Sequence, residues 1–147
     1  MLMTIQQILQ RKAVNALYAV APGDSVLNAL RLMADKNIGA VLVVENDALA
    51  GIFSERDYAR KIVLQDRHSD DTPVRDVMTA RVITIEPTQT LDEAMVIMSE
   101  RHIRHLPVMD GTTLVGIISI NDVVAAIIRD QKTRIDSLES YISGSPY

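Results

Sequence analysis

Apolar residues in this chain follow two alternating rhythms, and the alternation runs through twice. After the turn Pro22-Gly23-Asp24-Ser25, Val26, Ala29, Leu30 and Met33 fall at the i, i+3, i+4, i+7 spacing of an amphipathic helix capped by Ser25. Lys36-Asn37 ends it. Val41 to Val44 is an unbroken apolar run of strand length, as in a strand covered on both faces. Glu45-Asn46-Asp47 reads as a tight turn, Leu49 to Phe53 as the return strand of a hairpin, and Glu55 to about Leu64 as a second helix. Ahead of this unit, Ile5, Ile8 and Leu9 share one face of a helical lead-in over residues 1–19. Behind it, residues 65–82 lose the rhythm. Gln65 to Pro73 is polar and carries Asp70-Asp71, so the segment reads as a linker, with one helical turn over Val74 to Met78.

The unit returns 65 residues later. Pro87 matches Pro22, and Leu91, Ala94, Met95 and Met98 match Val26, Ala29, Leu30 and Met33. Leu106 to Met109 matches Val41 to Val44, Asp110-Gly111 is the hairpin turn, and Leu114 to Ile118 is the return strand. Between 20–63 and 85–128, 11 of 44 ungapped pairs are identical and the apolar positions agree nearly throughout, which marks a duplication. The expected domains are therefore repeats over 20–64 and 83–129. The fold class is α/β, of the α+β kind, with each repeat reading β-α-β-β-α. The last helix runs on into an extension and tail over 130–147. Along it Val124, Ile128, Gln131, Ile135, Leu138 and Ile142 step alternately by four and three, a heptad seam with one polar member. Two readings stay open: the seam docks on its own domain, or it pairs with a second helix across a dimer axis.

Both repeats carry Gly-apolar-apolar-Ser-x-x-Asp, as Gly51-Ile52-Phe53-Ser54-Glu55-Arg56-Asp57 and Gly116-Ile117-Ile118-Ser119-Ile120-Asn121-Asp122. Ser-x-x-Asp is a capping-box spacing, and a strand end, a turn and a helix start together suit an anion or a hydroxyl-rich ligand. A carboxylate accepts hydrogen bonds from two vicinal hydroxyls at once, as in ribose recognition, so Asp57 and Asp122 are candidates for that role. Each could equally bond its own helix's amides, and the lone pairs suffice for both. Arg56 is a cation at a helix start, where it opposes the dipole. A ligand phosphate would offset that cost through charge-assisted bonds. A solvated arginine, or one paired with Glu55 or Glu45, is the alternative. Asn121 replaces it in the second repeat, so the two clefts should differ, the Asp57 cleft holding phosphate more strongly. Arg101, His102, Arg104 and His105 form the dense basic cluster of the chain, suited to a polyphosphate or simply to a solvated face. Met33, Met95 and Met98 belong to core faces; for Met78, core and cleft are both open.

Composition narrows the classes. A net charge of −4, no tryptophan and one phenylalanine argue against a nucleic-acid surface. The absence of cysteine removes disulfides, thiolate catalysis and cysteine-metal sites, and fits a reducing compartment. The two nearby histidines have no carboxylate at ligand spacing, so no metal is expected. No apolar run reaches the roughly 18 residues that span a bilayer, and Met1 to Arg11 is too polar for a signal peptide. The expectation is a soluble cytoplasmic protein with no membrane partner. No nucleophile–base pair, metal spacing or glycine-rich phosphate loop is present, so the protein is not expected to be an enzyme.

The repeated motif, the segment Ile103-Arg104-His105-Leu106-Pro107-Val108, and Val77-Met78-Thr79 ahead of the second copy make residues 8–130 resemble a pair of CBS (cystathionine-β-synthase) domains. The resemblance implies that the repeats pack sheet to sheet about a pseudo-two-fold axis. It implies two clefts for adenosine-containing ligands: AMP foremost, then ATP, ADP, NAD or S-adenosylmethionine. It also implies a homodimer and a regulatory output, passed on through dimer packing or to a separate effector protein. The family's ribose aspartate falls on Asp57 and Asp122, and its hydroxyl neighbour on Ser54 and Ser119. Its phosphate or ribose threonine falls on Thr84, whose counterpart is Ala19. Its adenine-edge position falls on Pro107, whose counterpart is Leu42. Arg56, Asn121, Arg104 and His105 complete the expected nucleotide-binding set. A dimerisation platform with vestigial clefts is the alternative.

Overall fold

Each repeat is built on a hairpin that its apolar runs bury. The computed structural model describes residues 3–12 and 16–142. In it β1 (Ala19–Val20), β2 (Ala40–Glu45) and β3 (Ala48–Ser54) form one sheet, with β1 parallel to β2 and β2 antiparallel to β3. β4 (His105–Asp110) and β5 (Thr113–Ser119) form the second hairpin. The helices are α1 (Ile5–Arg11), α2 (Val26–Lys36), α3 (Glu55–Asp57), α4 (Leu91–Arg101) and α5 (Ile120–Ile142). The two sheets meet through β3 and β5. Parts of the expected lead-in and tail, residues 1–2, 13–15 and 143–147, lie outside the described residues.

The duplication extends to backbone detail. Ser25 and Thr90, at matching positions, cap α2 and α4 by accepting from the amides of Asn28 and Glu93. Asn37 and His102, again matched, end those helices in the left-handed conformation that Asn and His tolerate better than most residues. Both hairpins carry an irregularity at the same place, between Val43 and Val44 and between Val108 and Met109. The expected second helix is only partly α-helical. After α3 the chain winds without a break into a π-helical stretch, Tyr58–Val63, closed by the Leu64 amide donating to the Ala59 carbonyl at 3.1 Å.

One asymmetry has a single-residue cause. In the first repeat the Leu42 amide donates to the Tyr18 carbonyl, extending the parallel β1–β2 ladder. The matching residue in β4 is Pro107, which has no N–H. The first strand of the second repeat is therefore reduced to one bridge, Ile85 to Val108. The Ile85 amide donates to the Pro107 carbonyl, and its carbonyl accepts from the Met109 amide.

The segments read as lead-in and linker are each built into the other repeat's core. Ile5, Ile8 and Leu9 of α1 pack with Leu91, Leu106, Val108 and Ile118 of the second repeat. Val74 and Val77, around a 3₁₀ turn at Val74–Asp76, pack with Val26, Val41, Val43 and Phe53 of the first. The backbone bonds correspond pairwise. The Val26 amide donates to the Thr72 carbonyl, and its match Leu91 donates to Met3. Val74 donates to Asp24, and Ile5 donates to Gln89, the match of Asp24. The one amphipathic stripe in each segment has to be covered, and each is covered by the core of the other repeat.

Gly51 permits one of these dockings. A Cβ there would lie 2.7 Å from Met78 Sδ and 2.8 Å from the Thr79 carbonyl oxygen. Thr79 exchanges two backbone hydrogen bonds with Ile52, so it cannot retreat cheaply. Gly51→Ala should cost about 1–3 kcal/mol, as overpacking does. A urea midpoint unchanged from wild type would contradict the close approach. Met78 thus belongs to the core of the first repeat and not to a cleft. Met33, Met95 and Met98 also pack on the cores, as expected.

Among the described residues no helix is long and apolar enough to cross a membrane. α5 docks only through its first turns, where Val123 and Ala126 are buried. Every residue from Gln131 to Ile142 is exposed, so docking of the whole seam on its own domain is not what the structure shows.

Candidate functional site

The strand-to-helix motif forms a capping box in both repeats. The Ser54 amide donates to Asp57 Oδ2 at 3.0 Å while the Asp57 amide donates to Ser54 Oγ at 3.2 Å. The Ser119 amide donates to Asp122 Oδ2 at 2.8 Å, and the Asp122 amide donates to Ser119 Oγ at 3.3 Å. Each aspartate also holds a lysine. Lys61 Nζ lies 3.0 Å from Asp57 Oδ1 and donates to the Val77 carbonyl. Lys12 Nζ lies 3.1 Å from Asp122 Oδ2 and donates to the Ile117 carbonyl. Asp57 further accepts from Thr79 Oγ1 at 3.2 Å and is only 7% exposed. A ligand hydroxyl reaching Asp57 would share the carboxylate with Thr79 and Lys61.

A cleft of about 800 Å³ opens between the two repeats. Of the residues singled out from the sequence, Ser54, Arg56, Asp57, Arg104, His105, Ser119 and Asn121 line it. Ile38, Ile52, Val82, Ile83, Ile103 and Ile120 supply apolar wall. Thr84 is exposed and Pro107 is buried within β4, and neither is part of the lining. Asp122 lines a second, smaller cleft of about 370 Å³ between α1 and α5, with Arg11, Lys12 and Arg129.

Arg56 does what neither sequence reading expected. Its Nη1 donates to the carbonyl of His102, the residue that ends α4 in the other repeat. A cation at that carbonyl complements the negative end of the α4 dipole, which offsets the cost of its place at the start of α3. The basic cluster divides in two. Arg101 sits in the last turn of α4 and His102 terminates that helix, whereas Arg104 and His105 enter the cleft. His105 leads β4, and its ring lies beside Gly39, where a Cβ would make ordinary van der Waals contact at 3.5 Å from Cε1.

Burial pushes the pKa of His105 below the ordinary histidine value, the nearby Asp122 pulls it up, and Arg104 and Lys12 push it down. The net direction is downward. The unfolded chain then binds the His105 proton at a higher pH than the folded chain does. The contribution to stability is present above about pH 6.5 and is lost as pH falls through the folded-state value. In an NMR titration His105 should have its midpoint below the ordinary histidine value. An ordinary midpoint for it would contradict this burial.

Sequence reasoning named Thr79 only among the residues of the resemblance and missed it, with Arg81 and Lys61, as part of the site. Thr79 and Arg81 fell in the stretch read as linker, where polar residues signal solvent. Only the Thr79–Ile52 pairing carries that stretch along the cleft. Lys61 stands one turn after Asp57, an i,i+4 spacing that could have been noticed. Among the described residues no group of histidine and acidic side chains could hold a metal ion.

Comparison with known proteins bears on this geometry. A family model for the CBS domain matches residues 5–64 and 74–129. The CBS domain-containing protein CBSX3, mitochondrial, of Arabidopsis thaliana is 41% identical over 126 residues, 82% of this chain and 61% of that protein. The chain thus spans less than two thirds of that relative. Bacillus subtilis YhcV is 36% identical over 103 residues, covering 70% of this chain and 73% of its own. A solved CBS-domain protein from Burkholderia ambifaria superposes with a TM-score of 0.85 at 51% identity, over 88% of this chain and 96% of that one.

Proposed function

This chain belongs to the CBS domain family, and from that premise we propose that it is a non-catalytic sensor of adenosine nucleotides. CBS-domain pairs are regulatory modules. The observation that carries the reading is the lining of the larger cleft. One cavity joins the Ser54–Asp57 pair, an apolar wall, the three guanidinium groups of Arg56, Arg81 and Arg104, and the imidazole of His105. Those are the three surfaces a nucleotide needs: acceptors for ribose hydroxyls, an apolar slot for the base, and donors for phosphate. The volume lies in the range of small-molecule sites, about 300–1,000 Å³.

In this reading Asp57 accepts the ribose hydroxyls, Ile52, Val82 and Ile83 flank the base, and Arg81 and Arg104 hold the phosphates. AMP is the first candidate, ahead of ATP, ADP and NAD. The CBS domain pair of protein MJ0100, a fold neighbour at 22% identity and a TM-score of 0.77, was solved with 5′-methylthioadenosine and S-adenosylmethionine. We extend that ligand class to this chain as part of the proposal. A phosphate competing for Arg56 would release the α4 end, which links occupancy to how the repeats pack. The change would then pass to a homodimer partner or an effector protein in the cytoplasm. The same arrangement also serves a platform with an empty cleft.

A thermal-shift titration against AMP, ADP, ATP, NAD, S-adenosylmethionine and GTP separates the two. A ligand at 100 times its Kd stabilises by about 2.7 kcal/mol, a rise of several degrees for a chain of this size. Adenosine ligands should raise the midpoint and GTP should not. No rise with any of them at millimolar concentration would remove the sensing role.

A further inference from the structure

The distal half of α5 carries an apolar stripe that no apolar surface among the described residues covers. Ile135, Leu138 and Ile142 are 55%, 59% and 74% exposed, and Ile128 and Val124 extend the stripe toward the domain at 59% and 44%. Most helical stability in proteins comes from packing an apolar face, and this stripe has none packed among the described residues. The stripe lies roughly a third of a turn from the buried Val123 and Ala126. A second helix can therefore cover it while α5 stays docked.

The residues specify that helix. In heptad terms Ile128, Ile135 and Ile142 occupy a positions and Val124, Gln131 and Leu138 occupy d positions. The a positions are all β-branched and one d position, Leu138, is leucine, so the seam matches the parallel two-stranded pattern at every a and at that d. In an in-register parallel pair Gln131 faces Gln131 of the second copy, and the two amides donate and accept in turn. Arg134, at g, then faces Glu139 of the second copy, at e, and the contact occurs twice. Arg134 forms an ion pair with Asp130, Nε lying 3.2 Å from Oδ2, and its donor fork still suits a second carboxylate. The antiparallel register that covers the whole stripe does worse: it sets Lys132 against Lys132 and Arg134 against Arg134. We propose that residues 124–142 form a parallel, in-register coiled coil with a second copy of this chain. This does not rest on the nucleotide reading, since none of these residues lines the larger cleft.

The chain has no cysteine, so one introduced thiol reports on one contact. In the full chain, Gln131→Cys should form a disulfide-linked dimer under mild oxidation, because facing d positions satisfy disulfide geometry. Thr133→Cys, on the opposite face, should not. Leu138→Lys should sediment as a monomer whose amides in β2 to β5 keep their hydrogen-exchange protection, Leu138 being exposed within its own chain. A monomeric wild type, a Leu138→Lys protein that stays dimeric, or a dimer whose Gln131→Cys thiols remain free would each overturn the proposal.

Discussion

Replacing Ile5 with alanine should destabilise the second repeat and leave the first intact, although Ile5 precedes the first repeat in the chain. Ile5 is fully buried, in contact with the core that Leu91, Leu106, Val108 and Ile118 build around β4 and β5. Truncating a buried isoleucine removes its transfer free energy and leaves a cavity, together about 2–5 kcal/mol. α1 is clamped by the Ile5 and Gln6 amides donating to Gln89 and Pro87, so the site cannot collapse freely. Hydrogen exchange locates the loss. Amides of β4, β5 and α4 should exchange faster, while those of β2 and β3 keep their protection. Val74→Ala should give the mirror result, since Val74 is fully buried in the first repeat's core. A cost below about 0.5 kcal/mol for Ile5→Ala, the level of a surface change, would show that α1 is not part of that core.

Asp57→Ala should weaken nucleotide binding in the larger cleft by tenfold to a hundredfold. Hydrogen bonds to a charged group contribute about 1.5–3 kcal/mol, and the proposed ribose contact is of that kind. The substitution also removes a cap, for about 0.5–2 kcal/mol of stability, and leaves Lys61 and Thr79 without their carboxylate partner. Asp57→Asn separates the two effects. Its amide oxygen can still accept from the Ser54 amide, while the charge that holds Lys61 and the second hydroxyl is gone. The cap should largely survive and affinity should fall. Asp122→Ala, which lies in the smaller cleft, should leave affinity in the larger one intact. If Asp57→Asn binds nucleotide as wild type does, the aspartate is a cap and nothing more.

The hairpins, α2 and α4 were legible because their signals are local. Helix periodicity, strand-length apolar runs and cap residues each act within a few positions, and the duplication doubled each signal. The capping boxes were legible for the same reason. Arg56 was not: its partner is a carbonyl far along the chain, and no spacing rule links a helix start in one repeat to a helix end in the other. Thr79 and Arg81 were hidden by their polarity, and Met78 was left open because a methionine suits either environment.

What the order of residues determined, then, is the repeated unit, its elements, and a carboxylate–hydroxyl pair at each strand-to-helix junction. These follow from hydrogen bonding and apolar spacing over short stretches. Only the tertiary structure decided which core each flanking segment completes. An amphipathic stripe says that it must be covered but not by what, and α1 and the Val74 turn cover opposite repeats. It likewise decided that one cleft gathers Arg56, Arg81, Arg104 and His105 beside Asp57. That gathering depends on how the two hairpins meet, and β3 against β5 is a contact between residues too distant in sequence for any local pattern to record.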